Sequence, residues 1–391
     1  MKVLIAQNHH VGPGGTEVLF KGTADLMRRK GVEVVTVERD NANLRGLWSK
    51  ISAFGSAIYS FGAKKEFAKL LRETKPDVAH FFNIYPQLSI SVIDACNDAG
   101  VPVVLSVQDY KYTCPTAQHL RDGKICEKCL GGREYNCAIH NCRGSMAMSV
   151  SYALRNMTAR WSGSLHDGAA AYVTPTKFVG DQLAKGGFDP EKIVVVPNPF
   201  DLGDAKPQAK GEYAAYVGRI SKEKGLPLLI EAARRTGIPT KIAGDLTPMP
   251  ELRENLPPHV ELMGRMSRES LPEFYARAKF LVVPSVWYEA FGIVAAEAMS
   301  YSKPVIASNM GGLPEVVSDG ETGLLFESGN VDDLAEKMKH LWNDDAKCAA
   351  MGESGRKKAE RLYHPDRFFA GLMDVYQKSI NTKVLANASP V

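Results

Sequence analysis

Apolar residues along this chain fall into two patterns that alternate from end to end. Short runs rich in Val, Ile, Leu and Ala occur at residues 2–6, 32–37, 76–82, 101–107, 170–178 and 192–197, and again at 213–217, 240–243, 260–263, 280–284, 304–307 and 320–326. Short runs that are mostly apolar rather than alternating predict strands buried on both faces, the mark of parallel sheets covered by helices. Between them, apolar positions spaced by three and four predict helices at 18–30, 44–71, 145–165, from 291 onward, at 313–317, 332–342 and 366–379. Strand alternating with helix is the signature of an α/β fold. The pattern starts afresh after NPFDLGDAKPQAK at 198–210, whose Pro, Gly and Asp content reads as a linker. Three segments are expected: 1–199, 200–364, and 365–391, a last helix returning to the first domain followed by a frayed polar tail from 381.

Composition narrows this picture. With 391 residues, 45% hydrophobic and 24% charged, the chain supports two ordinary domains. A formal net charge of +4 is too small to argue for nucleic-acid binding, but suits a phosphorylated substrate or an acidic membrane surface. The apolar opening MKVLIA is too short for a secretory h-region, so a cytoplasmic protein is expected, and the seven cysteines then call for a reduced-state role. Within 44–71, Trp48, Phe54 and Phe61 alternate with Arg45, Lys50, Lys64, Lys65 and Lys69; core-facing helices with a solvated basic face are the plain reading, and a membrane-surface face the sharper one.

The candidate chemistry centres on FLVVPSVWYEAFGIVAAEAMS at 280–300. A strand ends in a loop that opens into a helix at Ala290, Phe291, Gly292 and Ile293, where free N–H groups and the positive dipole end can seat a phosphate. Glu289 precedes that helix and Glu297 lies within it; since carboxylates repel phosphate, their expected partners are hydroxyls. GRISKEKG puts Gly218, Arg219 and Lys224 at the carboxyl end of another strand, where two cations can neutralise a diphosphate. Gly244 closes the strand at 240–243. In the first half, VGPGGTE brings Gly14 and Gly15 to a helix start, and Glu17 stands where a dinucleotide fingerprint needs a third glycine, which disfavours hydride transfer. His9, Gln108 and Asp109 lie at strand carboxyl ends, where ligands of such sheets collect.

The Glu, seven residues, Glu spacing in its AFGIVAAEAM context, the GR-to-KG loop and the GG-x-Glu loop together resemble glycosyltransferase family 4, the retaining glycosyltransferases of GT-B fold. The resemblance covers nearly the whole chain. It implies two Rossmann-like domains facing a cleft. It also implies transfer of a sugar from a nucleotide-sugar donor to a saccharide or lipid-linked saccharide acceptor in polysaccharide biosynthesis, at the cytoplasmic membrane face. By the same resemblance Arg219 and Lys224 hold the diphosphate, Glu289 the donor sugar and Glu297 the ribose, while the first half faces the acceptor. Family members often carry His-Asp where this chain has Gln108-Asp109, and a glutamine cannot take a proton. No D-x-D follows an apolar strand, so no cofactor is required for catalysis on this reading.

The stretch 114–142 stands apart. Cys126 and Cys129 form a C-x-x-C pair that Cys137 and Cys142 could complete as a structural zinc site, against free thiols or a redox pair. Two rival functions remain open at this level: a nucleotide-sugar epimerase or hydrolase on the same scaffold, which needs a positioned base, and a non-enzymatic sugar- or lipid-binding assembly module.

Overall fold

The computed structural model describes residues 1–9, 15–40, 55–200 and 211–388. Gly14, the greater part of the 198–210 linker and residues 44–54 of the basic aromatic segment lie outside the described residues. The chain divides into two compact units, Met1–His119 with Cys126–Pro197 and Asp366–Val391, and Leu120–Ile125 with Asn198–Pro365.

In the first unit β1 (Lys2–Asn8), α1 (Gly15–Arg29), β2 (Glu33–Arg39), α2 (Phe61–Thr74), β3 (Val78–Asn83), α3 (Ser91–Asp98) and β4 (Val103–Ser106) alternate regularly. A two-stranded hairpin follows, β5 (Leu120–Arg121) and β6 (Lys124–Ile125), and the chain continues through α4 (Asn136–Ile139), α5 (Met146–Trp161), β7 (Ala171–Thr174), α6 (Lys177–Lys185) and β8 (Ile193–Val195). The sheet order is β2-β1-β3-β4-β7-β8, with every pairing parallel. Each of β3, β4 and β7 is buried along its whole length, His80, Asn83, Ser106 and Thr174 included, as in strands covered on both faces.

The second unit runs β9 (Tyr213–Val217), α7 (Leu226–Thr236), β10 (Thr240–Ala243), β11 (Val260–Gly264), α8 (Leu271–Arg277), β12 (Ala278–Val283), α9 (Ile293–Ser300), β13 (Val305–Ser308), α10 (Leu313–Val316), β14 (Gly323–Phe326), α11 (Val331–Trp342) and α12 (Asp345–Leu362). Its sheet is again parallel, ordered β11-β10-β9-β12-β13-β14. Strand order reverses between β9 and β12, and loops leaving the carboxyl ends on either side of such a reversal part to form a crevice. Both sheets of the α/β pair are therefore Rossmann-like.

The last helix, α13 (Pro365–Ala388), belongs to the first unit. Phe368, Leu372, Val375 and Tyr376 pack with Ile5, Phe20 and Phe82 in its core. The helix continues well past residue 379, so the tail expected to fray from 381 is helical to Ala388. Residues 170–178 do not form one strand either: Thr176 accepts a hydrogen bond from Val179 N and starts α6, placing Phe178 on a helix. The 18-residue α12 carries Cys348, Met351 and Ala359 inward among mostly polar residues, too weak an apolar pattern to stand out in the chain.

Candidate functional site

Glu289 is held by side chains drawn from two loops of the second unit. It is 7% exposed, and its Oε1 accepts from Lys224 Nζ at 2.5 Å, Ser285 Oγ at 2.6 Å and Trp287 Nε1 at 3.2 Å. The Lys224 ammonium also lies 5.3 Å from the centre of the Trp287 ring. Burial alone would push this carboxyl up; the charge of Lys224 and the three hydrogen bonds outweigh it and hold Glu289 below its ordinary value. Glu289 is therefore ionised at neutral pH. All three of these donors meet Oε1.

Close backbone packing brings these groups together. Gly225 ends the Lys224 loop at φ +71°, and a Cβ there would stand 1.8 Å from the carbonyl oxygen of Pro284. Val286 N donates to Glu223 O at 2.9 Å, tying the loop after β9 to the loop after β12. Gly311, at φ +64°, lies against the Glu289 backbone, and Gly312 N donates to Glu289 O at 2.7 Å. The glycine pair before α10 thus serves to seat Glu289. Gly292 caps α9 in the left-handed region, so the first free N–H groups of that helix follow two residues after Ala290. Phe291 points inward instead, stacked on Phe200 at 5.8 Å and edge-on to Tyr363 at 5.3 Å.

Arg219 is exposed, with Glu223 3.6 Å away. Gly244 sits where a Cβ would come within 2.3 Å of Gly218 O, so the carboxyl ends of β9 and β10 approach there without side chains between them. Glu297 is half-buried in α9, and the Tyr275 hydroxyl donates to its Oε2 at 3.0 Å. Burial raises its carboxyl above the ordinary value, against the Tyr275 hydrogen bond and the more distant charge of Arg268. Glu289 and Glu297 consequently titrate in opposite directions from one reference.

The first unit gathers a different set at the carboxyl edge of its sheet. His9 lies between two carboxylates, 3.2 Å from Glu17 and 2.7 Å from Glu38. Asp109 receives Lys111 N at 2.9 Å and the Lys111 ammonium at 3.0 Å, and that ammonium also donates to Asn83 Oδ1 at 3.1 Å. Gln108 is half-buried beside them. His80, inside β3, is fully buried, 2.6 Å from the Tyr376 hydroxyl and 2.8 Å from Ser106 Oγ.

Cys114, Cys129 and Cys137 are buried and Cys126 and Cys142 half-buried, all as free thiols. Cys129, Cys137 and Cys142 share a small cluster with Ala153 and Met157. Among the described residues no group of three or more His, Cys, Asp or Glu side chains is arranged to hold a metal ion. Burial and the neighbouring sulfurs push the Cys137 thiol up to about 12.

Lys111, Tyr275, Ser285 and Trp287 carry no motif that marks them. Only the short i, i+2 spacings to Asp109 and Glu289 hinted at Lys111 and Trp287; Tyr275 meets Glu297 through tertiary packing alone.

Comparison with known proteins follows the same division. The family model for glycosyl transferases group 1 matches residues 201–358, and that for Glycosyltransferase Family 4 matches residues 13–204. An uncharacterized glycosyltransferase of Methanocaldococcus jannaschii is 36% identical over 207 residues, 52% of this chain and 58% of that one. The alpha-maltose-1-phosphate synthase of Mycolicibacterium smegmatis is 29% identical over 224 residues, 49% of this chain and 58% of that one. The chain thus spans less than two thirds of the length of either relative. Among solved structures, Anabaena HepE in complex with UDP superposes with a TM-score of 0.69 at 17% identity, over 96% of this chain and 100% of that one. At that identity the likeness is one of fold.

Proposed function

Since the chain belongs to the family 4 type of glycosyltransferases, built on a GT-B pair of Rossmann-like units, we propose that it transfers a sugar from a nucleotide-sugar donor to a saccharide or lipid-linked saccharide acceptor, with retention of anomeric configuration, in polysaccharide biosynthesis. The observation that carries this reading is the Lys224–Glu289 pair at the strand-order reversal of the second sheet.

On this reading the diphosphate lies against Arg219, Lys224 and the first N–H groups of α9, whose positive charge stabilises the leaving nucleotide, the electrostatic contribution that dominates many such reactions. Lys224 has three N–H donors, so it can bridge Glu289 and a phosphate oxygen at once. Glu289 Oε2 accepts a hydroxyl of the donor sugar, which fixes the ring over the diphosphate. Glu297 takes the ribose hydroxyls, and Gly218 and Gly244 leave room for the donor diphosphate to approach. The acceptor hydroxyl attacks from the face the diphosphate leaves, and its proton passes to the departing phosphate oxygen, so no protein base is needed and Gln108 is tolerated. His9, Gln108 and Asp109 orient the acceptor. Because chain cations supply the neutralising charge, transfer persists in excess chelator.

The test pairs binding with turnover. Thermal unfolding against UDP-, GDP- and ADP-sugars should show a rise for one nucleotide class, since a ligand that binds only the folded state stabilises it by mass action. Nucleotide release should then require an acceptor and continue in EDTA. Release without acceptor would favour the hydrolase instead, and no shift with any donor would favour the binding module.

A further inference from the structure

The amino edge of the first sheet carries a group of cations that the proposed reaction does not use. Lys75 caps α2, residues 76–77 lead into β3, and residues 100–102 lead from α3 into β4. With the far end of α13, these loops border a cavity of about 530 Å³, within the usual size of small-molecule sites. Arg72, Lys75 and Lys383 line it. Its apolar wall includes Leu71, Pro76, Val101 and Ile380.

The fold does not neutralise these cations. Among the described residues none of the three is paired with a carboxylate, whereas their neighbours Lys64 and Lys69 pair with Asp98 and Glu73. One carboxylate, Asp77, does line the cavity, and its Oδ2 accepts from the backbone Lys2 N at 2.7 Å. Three cations against one carboxylate leave a formal excess of two positive charges. Basic side chains favour helix C-termini, which by itself accounts for Arg72 in the last turn of α2. That preference does not call for a lysine at φ +47°, a left-handed cap where glycine is the ordinary residue. Nor does it bring Lys383, from another helix, onto the same cavity.

The frame around the cations is fixed. Lys75 N donates to Leu71 O at 2.9 Å, Asp77 N to Lys2 O at 2.8 Å and Ala79 N to Pro102 O at 3.0 Å. Leu71, Pro76 and Val101 are buried. A phosphate monoester matches this frame in charge and form. It carries nearly two negative charges at neutral pH and three oxygens, two of which the Arg72 fork can take, while its carbon skeleton meets the apolar wall. A carboxylate or a phosphodiester brings one charge only.

We propose that this cavity between α2, the loops entering β3 and β4, and the end of α13 binds a small phosphate monoester, its dianion held by Arg72, Lys75 and Lys383. The site lies at the opposite end of the strands from Gln108 and Asp109. It is therefore separate from the groups assigned to sugar transfer and does not depend on which reaction the protein performs.

Calorimetric titration of the full chain with phenyl phosphate tests the site. Phenyl phosphate should bind about tenfold more tightly than phenyl sulfate, which has its shape but one charge, and than inorganic phosphate, which lacks the ring. Arg72→Glu with Lys383→Glu should weaken binding by about tenfold or more at an unchanged melting temperature. Lys75→Gly should weaken it by about fivefold without lowering the melting temperature, because glycine relaxes the left-handed backbone; a lysine serving only as a cap would leave binding untouched. Arg219→Ala, in the second unit, should change nothing. The proposal is overturned by an absence of binding at millimolar phenyl phosphate, by equal affinity for either control anion, by binding that survives the double variant, or by binding that Arg219→Ala abolishes.

Discussion

Lys224 and Glu289 depend on each other in a way no exposed ion pair does. Removing the ammonium leaves a buried carboxylate without its counter-charge, a loss on the order of 3–5 kcal/mol where nothing replaces it. Lys224→Ala should therefore lower both the unfolding midpoint and, on the proposed mechanism, kcat by roughly 100- to 1000-fold. Glu289→Gln keeps the shape and leaves the more exposed partner, Lys224, unpaired, so it should cost less stability than Lys224→Ala yet still lose transfer, a split that unfolding and nucleotide-release assays read separately. The two glutamates also predict an order on acidification. Glu297, raised by burial, takes its proton first, so donor affinity measured by calorimetry should fall before the protein loses stability. Glu289 is held below its ordinary value, so its contribution to stability is complete above that value near 4.5 and is lost only as pH falls through the lower folded value. Coincident loss of affinity and stability would contradict this order.

At the scale of elements, two left-handed glycines separate conformational strain from lost space. Gly225 and Gly237 bracket α7 at φ +71° and +70°. Around Gly237 nothing lies within 4 Å of a Cβ, so Gly237→Ala should cost about 1 kcal/mol of strain and leave donor binding unchanged. Gly225→Ala meets the Pro284 carbonyl as well, and should push the Lys224 loop off the Glu289 loop, costing more stability and most donor binding in a thermal-shift assay. The glycines at 218, 225 and 292 were legible because small residues between an apolar strand and a helix have few other uses. Helix α12 and the change from β7 to α6 were not legible. α12 buries few apolar side chains, and the Thr176 cap that ends one element and starts the next is a single hydroxyl among apolar neighbours.

On the scale of the whole molecule, α13 lies more than 280 residues from β3 in sequence, yet its Tyr376 hydroxyl meets His80 inside the first unit. Burial lowers His80 to about 3, so it is neutral in the folded protein. Unfolded, it titrates near 6.5. Between those values the unfolded chain binds the extra proton, so this contribution to stability is complete above 6.5 and is lost as pH falls toward 3. Denaturant midpoints should show that decline, and His80→Gln should flatten it; an equal slope in the variant would contradict the assignment. Tyr376→Phe leaves a buried ring nitrogen unpartnered and should cost about 1–3 kcal/mol in the same titration.

Periodicity and composition by themselves determined that the chain is α/β with parallel sheets, because strands covered on both faces are mostly apolar rather than alternating. Local motifs determined which loops carry glycines, cations and carboxylates, since strand, glycine loop and helix start are contiguous in the chain. Tertiary structure alone decided how those groups are used. It put Lys224 on Glu289 across 65 residues, Tyr275 on Glu297, and His80 under the last helix. It turned the apolar side of α5 outward, because Arg155, Asn156 and Ser149 find their hydrogen-bond partners only inside. Contacts of that kind join residues distant in the chain, and the strength of each depends on burial that no local pattern encodes.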